Sequence, residues 1–240
     1  MNLRWFSASN FGDIITPHLL EKMGIDFYRD MRHRDHANFI GIGSVLEHVG
    51  DRDVVWGSGI MGQNEEEYPI NKKAKYLAVR GPLSGAKTGC TVYGDAGLLC
   101  SKYYCPDVPR GDRKRGYTPH YVDYRKLGVD PADEINLRCK TPWTVIDQIV
   151  RYRQIVSSSL HGIIIAHAYG IPTAWWRASD LLAGDDSKFQ DYAESVDIEL
   201  VPCKTENSLV FTLPKKEKIE EIQTNLENVL REFLFNSSEK

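Results

Sequence analysis

The chain has 240 residues, 42% hydrophobic and 26% charged, which suits one large or two small globular domains with a real core. A formal net charge of −3 gives no electrostatic reason to expect a nucleic-acid partner. Five cysteines without C-x-x-C spacing argue against a zinc site or a disulfide framework, and no run approaches the roughly 18 apolar residues of a membrane span. The opening "MNLRWFSASN" lacks the apolar core of a signal peptide, so a cytoplasmic protein with reduced cysteines is expected.

Short apolar runs alternate with helix-like segments along the whole chain. "LRWF" is a candidate strand, and "GDIITPHLLEKMG" reads as a helix running from an Asp to a terminal Gly. Strands come next at "FIGIG", "DVVWG" and "YLAVR", then a short helix at "GPLSGAKTG" with Pro at its start and Gly at its end. "TVYGD" closes the first half. Residues 105–116, "CPDVPRGDRKRG", are rich in Pro, Gly and charge and form the best linker, dividing residues 1–108 from 109–240.

In the second half the candidate strands are "GYTPHYV", "EINL", "QIVSS", "PTAWW" and "IELV". "TPWTVIDQIVRY" is a helix with Thr141 as cap and Pro142 at the first helical position. "HGIIIAHAYG" is a helix apolar on nearly every side, with His167 assigned to the core. The terminal segment repeats apolar residues at Ile219, Ile222, Leu226, Val229, Leu230 and Phe233, the spacing of an amphipathic helix. The fold class is α/β: two Rossmann-like halves with parallel sheets and a cleft between them.

Ligands of open α/β sheets bind beyond the carboxyl ends of the strands, so the residues found there are the site candidates. They are Asn10 and Asp13 in "SASNFGD", Ser44, the small "GSG", Arg80, Asp95, His120, and the run Ser157, Ser158, Ser159 and His161. The serines fall at a strand-to-helix turn, where unpaired N–H groups and the positive end of the helix dipole suit a phosphate or carboxylate. The plainer alternative makes Ser158 or Ser159 a helix cap and His161 a packed histidine. Arg80, followed by Gly81 and Pro82, can hold an anion bidentately; its alternative is a salt bridge to Asp95 or Asp13.

Three motifs are set aside. "GSGIMG" fits G-x-G-x-x-G, but "QNEEEYP" after it is no helix of the needed kind. "HRDH" at 33–36 has no kinase partner motif, and "DRD" at 51–53 reads as a solvated turn rather than a metal-bound sugar nucleotide.

Taken in order, "NFGDIITPHLL", "GIGSVLEHVGDRDVVWGSGI", "VRGPLS", "VYGDAGLL", "PHYVD", "SSSLHGIIIAHAYGIP" and "SKFQDYAES" resemble the polysaccharide pyruvyl transferase family. The similarity is greatest to the ketal pyruvyl transferases of bacterial exopolysaccharides, such as that of xanthan assembly. It runs from about residue 10 to 195. The resemblance implies a GT-B-like fold, phosphoenolpyruvate as donor substrate, and a sugar acceptor on a lipid-linked oligosaccharide; no cluster of metal ligands is visible in the sequence, so no metal and no cofactor are expected. By motif, Arg80 would bind the donor's anionic groups and His161 would be the general acid or a phosphate ligand. Asp13 would orient a sugar hydroxyl or the donor, and Lys188 would add a cation. Asn10, Ser44, Asp95, His120, Ser158 and Ser159 complete the expected substrate contacts, with His120 a second candidate for the acid.

Two positions depart from the family pattern. Ala96 stands where proline is usual, and Ser159 stands where other branches carry an arginine before the Leu-His pair. Two rival functions have the same fold: a glycosyltransferase using a nucleotide sugar, for which Trp175 and Trp176 would supply a base platform, and a non-catalytic module of a polysaccharide assembly complex. A lipid-linked acceptor would bring the protein to the inner face of the plasma membrane. "KKEK" at 215–218 is weighed there as a peripheral contact against a plain solvated face.

Overall fold

A computed structural model describes residues 1–5, 10–29 and 37–238; the "HRDH" motif and Ser7–Ser9 of the first strand-end segment lie outside them. Two parallel sheets form the frame. The first contains β1 (Phe39–Ile40), β2 (Val54–Ser58) and β3 (Lys75–Val79); the second contains β4 (Arg113–Thr118), β5 (Tyr152–Ser157) and β6 (Thr173–Trp175). Single parallel bridges widen both. Leu3 pairs with Phe39, Asn2 with Tyr28 and Val79 with Tyr93; Tyr117 pairs with Glu134 and Trp176 with Cys203. In each half the first extended segment therefore lies between the second and the third. That arrangement creates a topological switch point in each sheet, the crevice where α/β proteins bind ligands.

The helices are α1 (Phe11–Lys22), α2 (Pro82–Thr88), α3 (Cys100–Tyr103), α4 (Trp143–Ile149), α5 (Leu160–Ala168), α6 (Ser187–Ser195) and α7 (Lys216–Ser238). Three short 3₁₀ segments intervene at Leu46–His48, Ala96–Leu99 and Glu206–Ser208. Local punctuation accounts for α2: Pro82 occupies its first turn and Gly89, at φ +79°, ends it in the left-handed region. Three expectations shift. Helix α4 begins at Trp143, with Pro142 in the cap position and no side-chain cap from Thr141. Strand β4 begins at Arg113, inside the segment taken as linker. "IELV" forms no strand; beyond β6 the second sheet continues through single bridges, Trp176 with Cys203 and, antiparallel, Thr173 with Thr212.

The halves share one core. Helix α5 is buried from Leu160 through His167 except at His161, since its faces meet β5 and β6 on one side and the Ala96–Leu99 turn of the first half on the other. Its apolar composition all round reflects enclosure by both halves. His167 is buried as expected, bonded to Tyr192, Thr212 and Thr173. Helix α7 belongs by sequence to residues 109–240, yet it packs on the first sheet. The Trp56 indole donates to the Leu226 carbonyl at 2.9 Å, and Phe233 stacks on Phe39. Its buried Ile219, Ile222, Leu226 and Leu230 each contribute about 1.5–3 kcal/mol as an upper bound. The helix thus straps the chain end back over the first half.

Candidate active site

The two switch points face each other across one cleft of about 320 Å³. From the first half, Asn10 and Asp13 come after the first extended segment, and Ser44, Val45, Glu47 and His48 come after β1. From the second half, His120, Tyr121 and Val122 come after β4, and Ser158, Ser159, Leu160 and His161 after β5. Met61, Leu181, Ala183 and Lys188 close the rim. Eight of the ten residues expected from sequence meet here: Asn10, Asp13, Ser44, His120, Ser158, Ser159, His161 and Lys188.

Arg80 and Asp95 do not line the cleft. Arg80 is wholly buried behind it: Nη1 donates to Ser44 Oγ at 2.7 Å, Nη2 to the Ile60 carbonyl at 2.5 Å, and Nε lies 3.3 Å from Asp191 Oδ2. The salt-bridge alternative is thus realised, with Asp191 of α6 as partner rather than Asp95 or Asp13. Asp191 also accepts from the Ser84 N–H and hydroxyl, so this ion pair ties α2 to α6 and one half to the other. A Cβ at Gly81 would come within 1.7 Å of the Asp191 carbonyl oxygen, so only glycine permits that approach. Asp95 caps the Ala96–Leu99 turn by accepting from the Gly97 N–H, and its Oδ2 has no hydrogen-bond donor among the described residues. Burial, partly offset by Arg80, pushes its carboxyl up to about 6.

Two helix N-termini converge on the cleft. Neither Asn10, at the start of α1, nor Ser159, at the start of α5, caps its helix with its side chain, which leaves first-turn N–H groups without that partner. A Cβ on Gly12 would fall 2.1 Å from His161 Nδ1, so this glycine lets α1 rest against the catalytic candidate. Asn10 Nδ2 donates to Asp13 Oδ2 at 2.9 Å and orients that carboxylate. Burial raises the Asp13 pKa, with the Asn10 bond opposing it.

The serines divide their labour. Ser157 Oγ accepts the Ser159 N–H and lies 2.8 Å from the carbonyl oxygens of Thr118 and Ser159. Ser158 donates to Asp123 Oδ2 at 2.7 Å and accepts the His120 N–H at 2.9 Å, so its hydroxyl is held by the scaffold. Ser179 donates to the other Asp123 oxygen. Asp123, Asp191 and Glu47 were not singled out from sequence. The first two lie within "PHYVD" and "SKFQDY", and Glu47 three residues beyond Ser44 in the block containing "GSVLEH".

The second-half wall is cationic in potential but held neutral in part. His161 Nε2 and His120 Nδ1 are buried without hydrogen-bond partners among the described residues. Burial first, then Arg80, Lys188 and His120, bring His161 down to about 3. Burial and Lys188, opposed by Asp123, bring His120 to about 4. Lys188 donates to the Ala183 carbonyl at 2.9 Å; burial and Arg80 lower it to about 8. Without an anion beside it, the His161 ring is therefore neutral. Trp175 and Trp176 form no platform. Trp175 is buried and stacked on Phe189 with centroids 4.2 Å apart, and Trp176 packs edge-on to Tyr117.

Fold and site together define a Rossmann-type α/β protein whose ligand cleft lies between two halves at facing switch points. The chain belongs to the polysaccharide pyruvyl transferase family, whose profile matches residues 12–176. It is 28% identical over 182 residues to an uncharacterized protein of Acanthamoeba polyphaga mimivirus, covering 70% of this chain and 63% of that one. It is 28% identical over 178 residues to the succinoglycan biosynthesis protein ExoV of Rhizobium meliloti, covering 68% of this chain and 55% of the relative. The match thus spans less than two thirds of either relative. A functionally uncharacterized Klebsiella pneumoniae protein of known crystal structure shares the fold at 13% identity and a TM-score of 0.51, over 82% of this chain and 89% of that one. No helix among the described residues is long and apolar enough to cross a membrane.

Proposed function

We propose that the cleft transfers the pyruvyl group of phosphoenolpyruvate to hydroxyls of a sugar in a lipid-linked oligosaccharide or polysaccharide precursor, forming a ketal. The observation that carries this reading is the division of charge across the cleft. Lys188, His120, His161 and the N-terminus of α5 line one wall, and the carboxylates Asp13 and Glu47 line the other, beside His48 and the N-terminus of α1. A phosphate and a carboxylate suit the first wall, and a polyol suits the second. Family membership and the succinoglycan relative support a role in polysaccharide synthesis.

The donor dictates the chemistry. An acid protonates the methylene carbon, and the positive charge developing on the adjacent carbon is trapped by a sugar hydroxyl. Phosphate then leaves with its bonding electrons, and a second hydroxyl closes the ketal. An anion beside His161 opposes the burial and the neighbouring cations that now hold the ring neutral, so the donor itself raises the proton affinity of the acid that must act on it. Lys188 and the α5 N-terminus offset charge on the departing phosphate. Arg80 contributes through Ser44 and by fixing the halves. The nucleotide-sugar alternative is weakened because Trp175 and Trp176 are committed to packing.

Calorimetric titration tests the donor. Phosphoenolpyruvate should bind saturably and UDP-glucose should not. Lys188→Met should weaken phosphoenolpyruvate about 10- to 100-fold, the worth of one charge-assisted hydrogen bond. Binding of UDP-glucose in place of phosphoenolpyruvate would make the protein a glycosyltransferase.

A further inference from the structure

We propose that Glu47 takes the proton of the acceptor hydroxyl, which makes the first-half wall of the cleft the sugar site; this rests on the pyruvyl-transfer reading. Glu47 sits in the 3₁₀ turn Leu46–His48, just beyond the carboxyl end of β1, with its side chain only 11% exposed and lining the cleft. Its Oε2 is buried and has no hydrogen-bond partner among the described residues, while Oε1 lies 3.8 Å from His48 Nε2. A buried carboxylate oxygen without a donor is costly, and such a group persists where a ligand completes it.

The nature of the two substrates decides which ligand that is. Phosphoenolpyruvate at neutral pH offers phosphate and carboxylate oxygens, almost all acceptors and all anionic. It cannot satisfy Glu47 and is repelled by it. A sugar hydroxyl carries the O–H that Glu47 lacks. Burial raises the Glu47 pKa against a hydrogen bond from its own backbone N–H and the opposing charges of His48 and Arg80, which makes it a stronger base than an exposed glutamate. Tyr68 also feels its charge, and Asp13, His120, His161 and Lys188 face the same cleft.

The proton balance is closed. As the first hydroxyl oxygen bonds to the central carbon, its proton passes to Glu47, while an acid on the opposite wall delivers one proton to the methylene carbon. The second hydroxyl then displaces phosphate, and its proton leaves on that phosphate. Asp13, held by Asn10, is already partnered and is left to orient the diol.

Glu47→Gln keeps the shape of the side chain and removes the base. Two measurements on wild type, Glu47→Gln and Glu47→Asp decide the matter: phosphoenolpyruvate affinity by calorimetry, and phosphate release with the methyl glycosides of galactose, glucose and mannose. Glu47→Gln should bind phosphoenolpyruvate within about threefold of wild type or tighter, yet release phosphate about 100-fold more slowly, the scale of lost general-base catalysis. Its pH–rate profile should lose the acid limb that Glu47→Asp retains. Should none of these glycosides support release by the wild type, saturation-transfer NMR of the same glycosides on the phosphoenolpyruvate complex is decisive. Contact with wild type that Glu47→Gln loses supports the assignment; equal contact, or none with either protein, overturns it. Phosphate release by Glu47→Gln within about fivefold of wild type also overturns it. A wild-type protein that binds no phosphoenolpyruvate at all removes the reading beneath it.

Discussion

The two walls of the cleft come from halves with the same strand order, yet they carry opposite chemistry. After its first and third extended segments the first half presents Asp13 and Glu47, and the second half presents His120 and His161, with Lys188 added from α6. The first half does own a buried cation, Arg80, but the second half neutralises it with Asp191 before it reaches the cleft. One topology, used twice, thus provides two similar crevices, and the side chains at the strand ends give each its own preference. The likeness lies in the backbone and the difference in the charges.

The sharpest way to break this contrast is Arg80→Ala. If Arg80 is the tie between halves, its loss leaves Asp191 buried against α2 without its counter-charge. Urea denaturation should then show a loss of about 3–5 kcal/mol. A variant that keeps wild-type stability and only binds phosphoenolpyruvate more weakly would return Arg80 to the cleft and blur the contrast.

The second test titrates the histidine wall. His161 and His120 have folded pKa values near 3 and 4, below the unfolded value of about 6.5. The folded protein thus refuses protons that the unfolded chain accepts. Stability is fully present above pH 6.5 and is lost as pH falls toward 4 for His120 and toward 3 for His161, at up to about 1.4 kcal/mol per pH unit for each histidine. His167, also near 3, adds to the slope without facing the cleft. Inorganic phosphate should flatten the part due to His161 and His120, and replacing both by Gln should remove it. An unchanged slope in that double variant would mean that neither ring is held neutral by its surroundings.

The smallest effect expected is that of Ser158→Ala. Its hydroxyl bridges Asp123 and the His120 N–H, so its removal should cost about 1–2 kcal/mol in a denaturant titration and leave phosphoenolpyruvate affinity within about twofold. A large affinity loss with unchanged stability would instead make Ser158 a direct ligand.

Local chemistry was enough to read much of this molecule from its residues. Alternation of apolar strands with capped helices implied two parallel α/β units, because a strand buried on both faces and a helix ended by Pro and Gly have few other uses. Asn10, Asp13, Ser44, His120, Ser158, Ser159, His161 and Lys188, which line the cleft, were all legible as candidates. Most of them stand just past a strand, where such sheets expose polar groups. Burial and pairing were different. Whether Arg80 faced a ligand or a carboxylate depended on Asp191, 111 positions further along the chain. No local pattern could reveal that Glu47 Oε2 would be buried without a hydrogen-bond donor, or that burial, with Arg80, Lys188 and His120 nearby, would bring His161 to about 3. Residue order determined the elements and the chemical groups at their ends, because backbone preferences and hydrophobic periodicity act over a few residues. Only the tertiary structure decided which of those groups are free to act, because desolvation and Coulomb interaction depend on distances that folding alone sets.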